Sequence, residues 1–259
     1  MGNPTRLKNG VSVYNAGLPL ANFPLPDKNY ICAYQDDFHN YVAGDWTVTA
    51  DGGSTAVTQG TTYPGGTIVL TTATSGTKAI SLGTATDLGN AFRFKAGMVT
   101  AAGEDTWFKA RIYFNTTVTN PDIAVGLGRG GVATFNAATD GVYFTKATGA
   151  PFAGTTTGWN LVMKAAAGTT TTIALPVIPT ISIAQDLAYY FDGSDNTLYV
   201  WVNGVFLGTV NADYGSLGKV MTGIPASTLF LSPFISNSYH TATSTVELDY
   251  VTAGSTLGR

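Results

Sequence analysis

The 259-residue sequence has one cysteine, Cys32, and two glutamates, Glu104 and Glu247. A lone cysteine forms no intramolecular disulfide and excludes a multi-cysteine zinc site. It fits a chain made in a reducing cytoplasm, with Cys32 a small buried hydrophobe, because no neighbour in sequence would activate a thiolate. Glycoside hydrolysis needs two carboxylates facing one bond, and no Glu-x-Asp-x-x-Glu cluster is present. Charge is also scarce: 11% of residues are Asp, Glu, Lys or Arg, against roughly 25% in ordinary globular chains. The exterior must therefore be covered by Thr, Ser, Asn, Gln and Gly. A net charge of −3 and a pI near 5.2 exclude a broad basic nucleic-acid surface and a polybasic membrane anchor. No apolar run approaches the roughly 18 residues of a membrane helix. The opening MGNPTRLKNG has no apolar core of the kind a secretory signal carries.

What is abundant points to strands. Glycine (31), threonine, tyrosine (13) and phenylalanine (13) are plentiful, and good helix formers are few. An apolar fraction of 44% excludes general disorder. From Gln35 onward the text is a series of short alternating runs. They include GDWTVTA (44–50), TIVLTT (67–72), AFRFKA (91–96), WFKARIYF (107–114), DIAVGLG (122–128), GVYFTKA (141–147), WNLVMKA (159–165), TTTIAL (170–175) and LAYYFDG (187–193). Within 192–210, Asp195-Asn196 and Asn203-Gly204 each mark a tight turn, the second with the signature of a type I′ hairpin. TLFLSPFIS (228–236) and STVELDYVT (244–252) complete the series. About thirteen strands separated by Gly, Asp and Asn turns predict an all-β, two-sheet antiparallel sandwich. No stretch has sustained helical periodicity, though Asp213–Lys219 suits a short turn of helix. No internal repeat marks a propeller, β-helix or solenoid.

Residues 1–34 differ. Pro4, Pro19, Pro24 and Pro26 break them, and Leu7, Val11, Val13, Tyr14, Leu18, Leu20, Phe23 and Leu25 are scattered without a period. This reads as an extended N-terminal arm preceding a sandwich at 35–259. An arm with this much apolar side chain requires a surface to lie on, either its own domain or a partner. The partner is the favoured surface, with Leu7, Tyr14, Leu18, Leu20, Phe23 and Leu25 as the contact residues.

The remaining motifs have plain structural readings. Gly126-Leu-Gly128-Arg-Gly-Gly131 matches the spacing of a dinucleotide loop, but a strand follows where the phosphate-binding helix should start, so a glycine-rich loop is expected. Asp192 and Asp195 flank a turn and should cap its backbone rather than bind calcium. Asp36 and Asp37 form the other acidic pair. His39 and His240 lie near the two ends of the sandwich, and no Gly-x-Ser-x-Gly elbow accompanies them. Tyr199, Trp201 and Asn203 share one strand face, with Leu198, Val200 and Val202 on the other. Trp201 beside Asn203 suits sugar stacking with an amide hydrogen bond. Two partly apolar faces, however, favour a strand covered on both sides. No cofactor or metal is implied.

The segment QDDFHNYVAGDWTVT (35–49), the leader NPTRLKNGVS with LANFPLPD (20–27), and DGVYFTK (140–146), FDGSDNTLYVWVNG (191–204) and VELDYVTAG (246–254) occur in an order that resembles a virion-protein family of tailed, podophage-like bacteriophages. The resemblance implies a concanavalin A-like jelly roll and a non-enzymatic capsid decoration (cement) protein. Such a protein would sit on the virion exterior after synthesis in a bacterial cytoplasm. It would bind the major capsid protein and itself, with trimers a natural option at local three-folds. The alternative is a carbohydrate-binding tail or head fibre adhesin that recognises a host surface glycan. The Gly/Thr-rich insertions near 126–139 and 165–180 depart from the family pattern.

Overall fold

The computed structural model of the chain describes residues 6–8, 11–13, 31–39, 46–50, 56–60, 66–72, 79–84, 103–114, 122–129, 140–146, 158–165, 170–211, 213, 215–225, 229, 231–238 and 245–256. The first strands among them are β1 (Arg6–Lys8), β2 (Val11–Val13), β3 (Ile31–Asp36), β4 (Trp46–Ala50), β5 (Ala56–Gly60) and β6 (Thr67–Thr71). Next come β7 (Ala79–Thr84), β8 (Thr106–Phe114), β9 (Asp122–Gly128), β10 (Gly141–Lys146), β11 (Asn160–Lys164) and β12 (Thr170–Ala174). The last are β13 (Gln185–Asp192), β14 (Thr197–Val202), β15 (Val205–Asn211), β16 (Ser232–Ser238) and β17 (Thr245–Thr256).

The protein is an all-β sandwich of two antiparallel sheets. One sheet has seven strands in the order β12-β11-β10-β9-β16-β7-β4. The other has eight: β15-β14-β13-β8-β17-β6-β5, with β3 also paired to β17. The 12-residue β17 holds both neighbours on one edge, because β6 takes its first part (Thr245–Leu248) and β3 its second (Val251–Thr256).

Alternation sets which face meets the core. Along β8 every second residue is buried, so Phe108, Ala110, Ile112 and Phe114 point inward. Opposite them, Val125, Leu127, Val142, Phe144, Leu161 and Met163 enter the same cluster from the seven-stranded sheet. Each large apolar side chain buried in this way contributes about 1.5–3 kcal/mol. Rings interlock within the core: Phe108 stacks on its strand neighbour Tyr189 at 5.6 Å, and Phe114 lies 5.9 Å from Trp159. Hydrogen bonds also cross between the sheets. The Tyr189 phenol donates to the Val142 carbonyl at 3.0 Å, and the Asn237 amide to the Leu70 carbonyl at 3.0 Å.

Several local expectations are corrected. Gly126 and Gly128 lie within β9, the strand that the DIAVGLG run predicts, so the motif read as a glycine-rich loop starts inside a strand. A Cβ on Gly126 would come within 2.5 Å of Tyr143, so glycine here lets two strands and a tyrosine approach closely. The described residues of 213–219 hold turns instead of helix. Gly218 N–H bonds Gly215 O at 2.8 Å, and Leu217 N–H is drawn to Thr209 O of the β15 edge. Expected strand 228–236 begins later, at Ser232. The AFRFKA run at 91–96 lies outside the described residues.

β1 and β2 pair with each other as a two-stranded sheet separate from both sandwich sheets. Leu7, an expected contact residue, lies in β1 opposite Ser12. Tyr14, Leu18, Leu20, Phe23 and Leu25 lie outside the described residues. β3 starts at Ile31, so the segment read as an arm runs into a sandwich strand.

Candidate functional site

The outward residues of the eight-stranded sheet include aromatic rings and a charged network. Cross-strand register arranges them in rows. Tyr199 of β14 lies opposite Tyr190 of β13, which lies opposite Trp107 of β8, which lies opposite Gly254 of β17. In the next row Phe206, Trp201, Ala188, Lys109 and Thr252 follow one another across the same strands and β15. A third row holds Asp186, Arg111 and Tyr250.

The first two rows form a connected aromatic shelf. Tyr199 stacks against Trp201 at 6.2 Å with an interplanar angle of 20°. Phe206 lies 5.4 Å from Trp201 and 6.3 Å from Tyr199, and Tyr190 lies 6.1 Å from Tyr199. Tyr190, Tyr199 and Trp201 are half-buried, while Phe206 keeps 50% of its surface exposed. Rings this large normally sink into a core. Here the core-facing positions of β14 are already taken by Leu198, Val200 and Val202, so Tyr199 and Trp201 face outward. Tyr199 and Trp201 are half-buried on that outward face, so the expectation that β14 is covered on both sides is met in part. Asn203 differs from its expected sugar contact. It occupies the β14–β15 turn with φ 53°, followed by Gly204 at φ 75°, the paired positive φ of a type I′ hairpin. Its side chain accepts from Asp186 N at 2.9 Å and donates to Gln185 Oε1 at 3.3 Å, which closes the hairpin.

Beside the shelf is an ionic network. Arg111 grips Asp186 with two hydrogen bonds of 2.8 and 2.9 Å, and Tyr250 donates to the same carboxylate at 3.0 Å. A bulge between Leu248 and Tyr250 brings Asp249 to 3.6 Å from Arg111. Lys109 and Arg111 each lie 5.3 Å from the centre of the Tyr250 ring. Burial would raise the Asp186 carboxyl, but the Arg111 and Tyr250 hydrogen bonds outweigh it and hold it below the usual carboxylate range. Burial pushes the Asp249 carboxyl up, against the pull of Arg111. Burial raises the Tyr250 and Tyr190 phenols as well, so both stay protonated hydrogen-bond donors.

The other residues singled out in the sequence have structural positions. Asp192 Oδ1 accepts from Ser194 N, Ser194 Oγ and Asp195 N, the expected turn cap. Asp36 accepts from Phe38 N, Trp46 Nε1 and Tyr34 Oη. Asp37 accepts from the backbone of exposed His39. His240 lies outside the described residues. Cys32 is in β3, opposite Ser255. Both glutamates are buried to 1% exposure, and Glu247 accepts from the Thr67 hydroxyl at 3.0 Å. Among the described residues no three His, Cys, Asp or Glu side chains gather as a metal site requires.

No family model matches the chain, and no curated protein matches its sequence. The fold, however, is shared with solved structures. Lectin II from Ulex europaeus superposes with a TM-score of 0.52 at 11% identity, over 87% of this chain and 99% of that one. Peanut lectin gives 0.50 at 10%, over 87% and 97%. A beta-1,3-glucanase from Mycobacterium marinum gives 0.51 at 14%, over 85% and 97%. At these identities the likeness is one of fold. It defines the class as a concanavalin A-like, legume-lectin-type jelly roll, a sandwich on which both lectins and glucanases are built.

Proposed function

We propose that this protein is a non-enzymatic carbohydrate-binding module, of the kind a phage tail or head fibre would carry for attachment to a host surface glycan. The observation that carries the reading is the aromatic shelf of Tyr190, Tyr199, Trp201 and Phe206 on the outward face of the eight-stranded sheet. Sugars present flat C–H faces that stack on such rings, and flanking polar groups orient their hydroxyls. The Arg111–Asp186–Tyr250 network supplies those polar groups. The shared lectin fold supports the same reading, and one of the similar structures is a lectin complexed with galactose. The state of the carboxylates favours binding over hydrolysis. Both glutamates are buried, and Asp186 and Asp249 both lie against Arg111, whereas a glycosidase needs one carboxylic acid and one carboxylate poised on either side of a bond.

The test is a glycan array followed by titration calorimetry with the hits. Trp201→Ala should lower affinity about three- to tenfold or more, in line with the loss of one stacked ring, and leave the fold intact by circular dichroism. An array without hits, or hits indifferent to Trp201→Ala and Phe206→Ala, would overturn the reading.

A second reading is shell decoration, with the leader gripping the major capsid protein and the module assembling as a trimer. It is favoured by the β1–β2 hairpin, which pairs outside both sandwich sheets. Deleting residues 1–34 should abolish attachment to capsids, and full attachment by that truncation would dispose of it. Virion copy number separates the two readings. Hundreds of copies per particle mean decoration, and a few dozen mean a fibre.

A further inference from the structure

We infer that the aromatic shelf takes a neutral glycan chain several units long, lying across the strands, rather than a single terminal sugar. This rests on the glycan-binding reading above and names the ligand class of that site.

Extent is the first argument. Tyr199, Tyr190 and Trp107 occupy consecutive positions on three neighbouring strands. With strands about 4.8 Å apart, the row is ~10 Å long before Phe206 of the adjoining row is added. One pyranose covers one ring. A row of rings perpendicular to the strands matches a repeating chain whose units each offer a flat face.

Relief is the second. Between Trp201 and Lys109 the floor is Ala188, and beyond Trp107 it is Gly254. A Cβ on Gly254 would fall 2.0 Å from the Trp107 ring, so the indole lies flat over the sheet at that point. The indole fills the space over Gly254, and Ala188 is the small residue left between Trp201 and Lys109, so the face offers a low strip of rings across which a polymer can lie.

Charge is the third. Around Ala188 two cations, Lys109 and Arg111, face two carboxylates, Asp186 and Asp249, and Arg111 is held by both of them. At the Tyr190 end the charge is acidic, because Asp105 hydrogen-bonds Tyr190 and Asp192 lies nearby. A polyanion, whether nucleic acid or uronate-rich glycan, would meet a surface that is neutral to negative. A chain without charge meets rings and satisfied ion pairs.

The experiment is calorimetry of the full chain with β-linked glucose oligomers from the single sugar to the hexamer, alongside oligomers of the corresponding uronic acid. Affinity should rise about tenfold or more between the single sugar and the tetramer, then level off, and the uronate series should bind more weakly at low salt. Trp107→Ala should lower hexamer affinity about five- to tenfold, with Trp107→Tyr restoring most of it. Circular dichroism and the thermal midpoint check that each variant folds. Binding that is lost on Trp201→Ala but independent of length would overturn this inference and leave the glycan reading standing, as would uronate chains binding as well as neutral ones. No binding by any oligomer, with no hits on the array, would overturn both.

Discussion

Arg111 and Asp186 face each other across β8 and β13 in a two-point ion pair of 2.8 and 2.9 Å. The planar guanidinium matches the carboxylate, and this geometry is stronger than a single contact. The pair also has a pH signature. Burial works against the Asp186 carboxylate, yet Arg111 and Tyr250 hold its folded pKa below the usual value. A depressed carboxyl stabilises the fold at pH values above its unfolded pKa of about 3.9. That stabilisation is lost as pH falls through the lower, folded value. Urea midpoints of the wild type should therefore fall on acidification below about pH 4. Asp186→Asn should start lower at neutral pH and lose less over the same window. Parallel pH profiles for the two proteins would count against the pair.

Asp249 has the opposite sign. Burial raises its carboxyl above the usual range despite the pull of Arg111. A raised acid costs stability once ionised in the fold, and that cost disappears below its unfolded pKa. Asp249→Asn should accordingly be neutral to slightly stabilising at pH 7, with any gain vanishing near pH 3. Denaturant melts at the two pH values test this, and a variant markedly weaker at pH 7 would mean that the 3.6 Å contact with Arg111 dominates.

Asp36 gathers three donors where the chain leaves β3. Phe38 N reaches one oxygen at 2.8 Å, and Trp46 Nε1 and Tyr34 Oη reach the other at 2.8 and 3.2 Å. Phe38 is fully buried with φ 52°, a backbone conformation that bulky residues avoid. Its ring packs 5.4 Å from Trp46. The carboxylate therefore holds a strained corner and satisfies a buried indole together. Asp36→Ala should cost about 2–4 kcal/mol in urea denaturation, with Asp36→Asn recovering part of it. A loss under about 0.5 kcal/mol would mean that ring packing alone fixes the corner.

The sequence made one half of this architecture readable and hid the other. Strict alternation in 106–114 and 197–202 gives the strands, their inward residues and the two-sheet sandwich directly, because a half-buried strand has a period of two. What flanks an outward face is a different matter. Tyr199 and Trp201 share a face in the sequence, but which strands flank that face follows only from the sheet order. The shelf of Tyr190, Tyr199, Trp201 and Phe206, with Trp107 beside Tyr190, is brought together by register across β8, β13, β14 and β15. Such long-range pairing leaves no local signal. Gly126 illustrates the same limit. Its glycine-rich spelling suggests a loop, and the reason for glycine is Tyr143 on a neighbouring strand. Turns, being local, were legible: Asn203-Gly204 and Asp192–Asp195 behave as their residues dictate.

Buried hydroxyls provide the sharpest contrast within the fold. The Tyr189 phenol is buried and donates to Val142 O across the core, whereas Thr145 Oγ1 and Ser236 Oγ are buried with no hydrogen-bond partner. Thr145 and Ser236 lie on either side of Ala124 in one cross-strand row of the seven-stranded sheet. A satisfied buried group is costly to remove, and an unsatisfied one has already forfeited its water. Tyr189→Phe should thus lose about 1–2 kcal/mol, since the Val142 carbonyl loses its cross-core donor. Thr145→Val and Ser236→Ala should be neutral or gain up to about 1 kcal/mol each. Chemical denaturation of the three single variants tests the contrast. Clear destabilisation by Thr145→Val and Ser236→Ala would mean that ordered water holds both hydroxyls, and a crystal structure would then place that water beside Ala124.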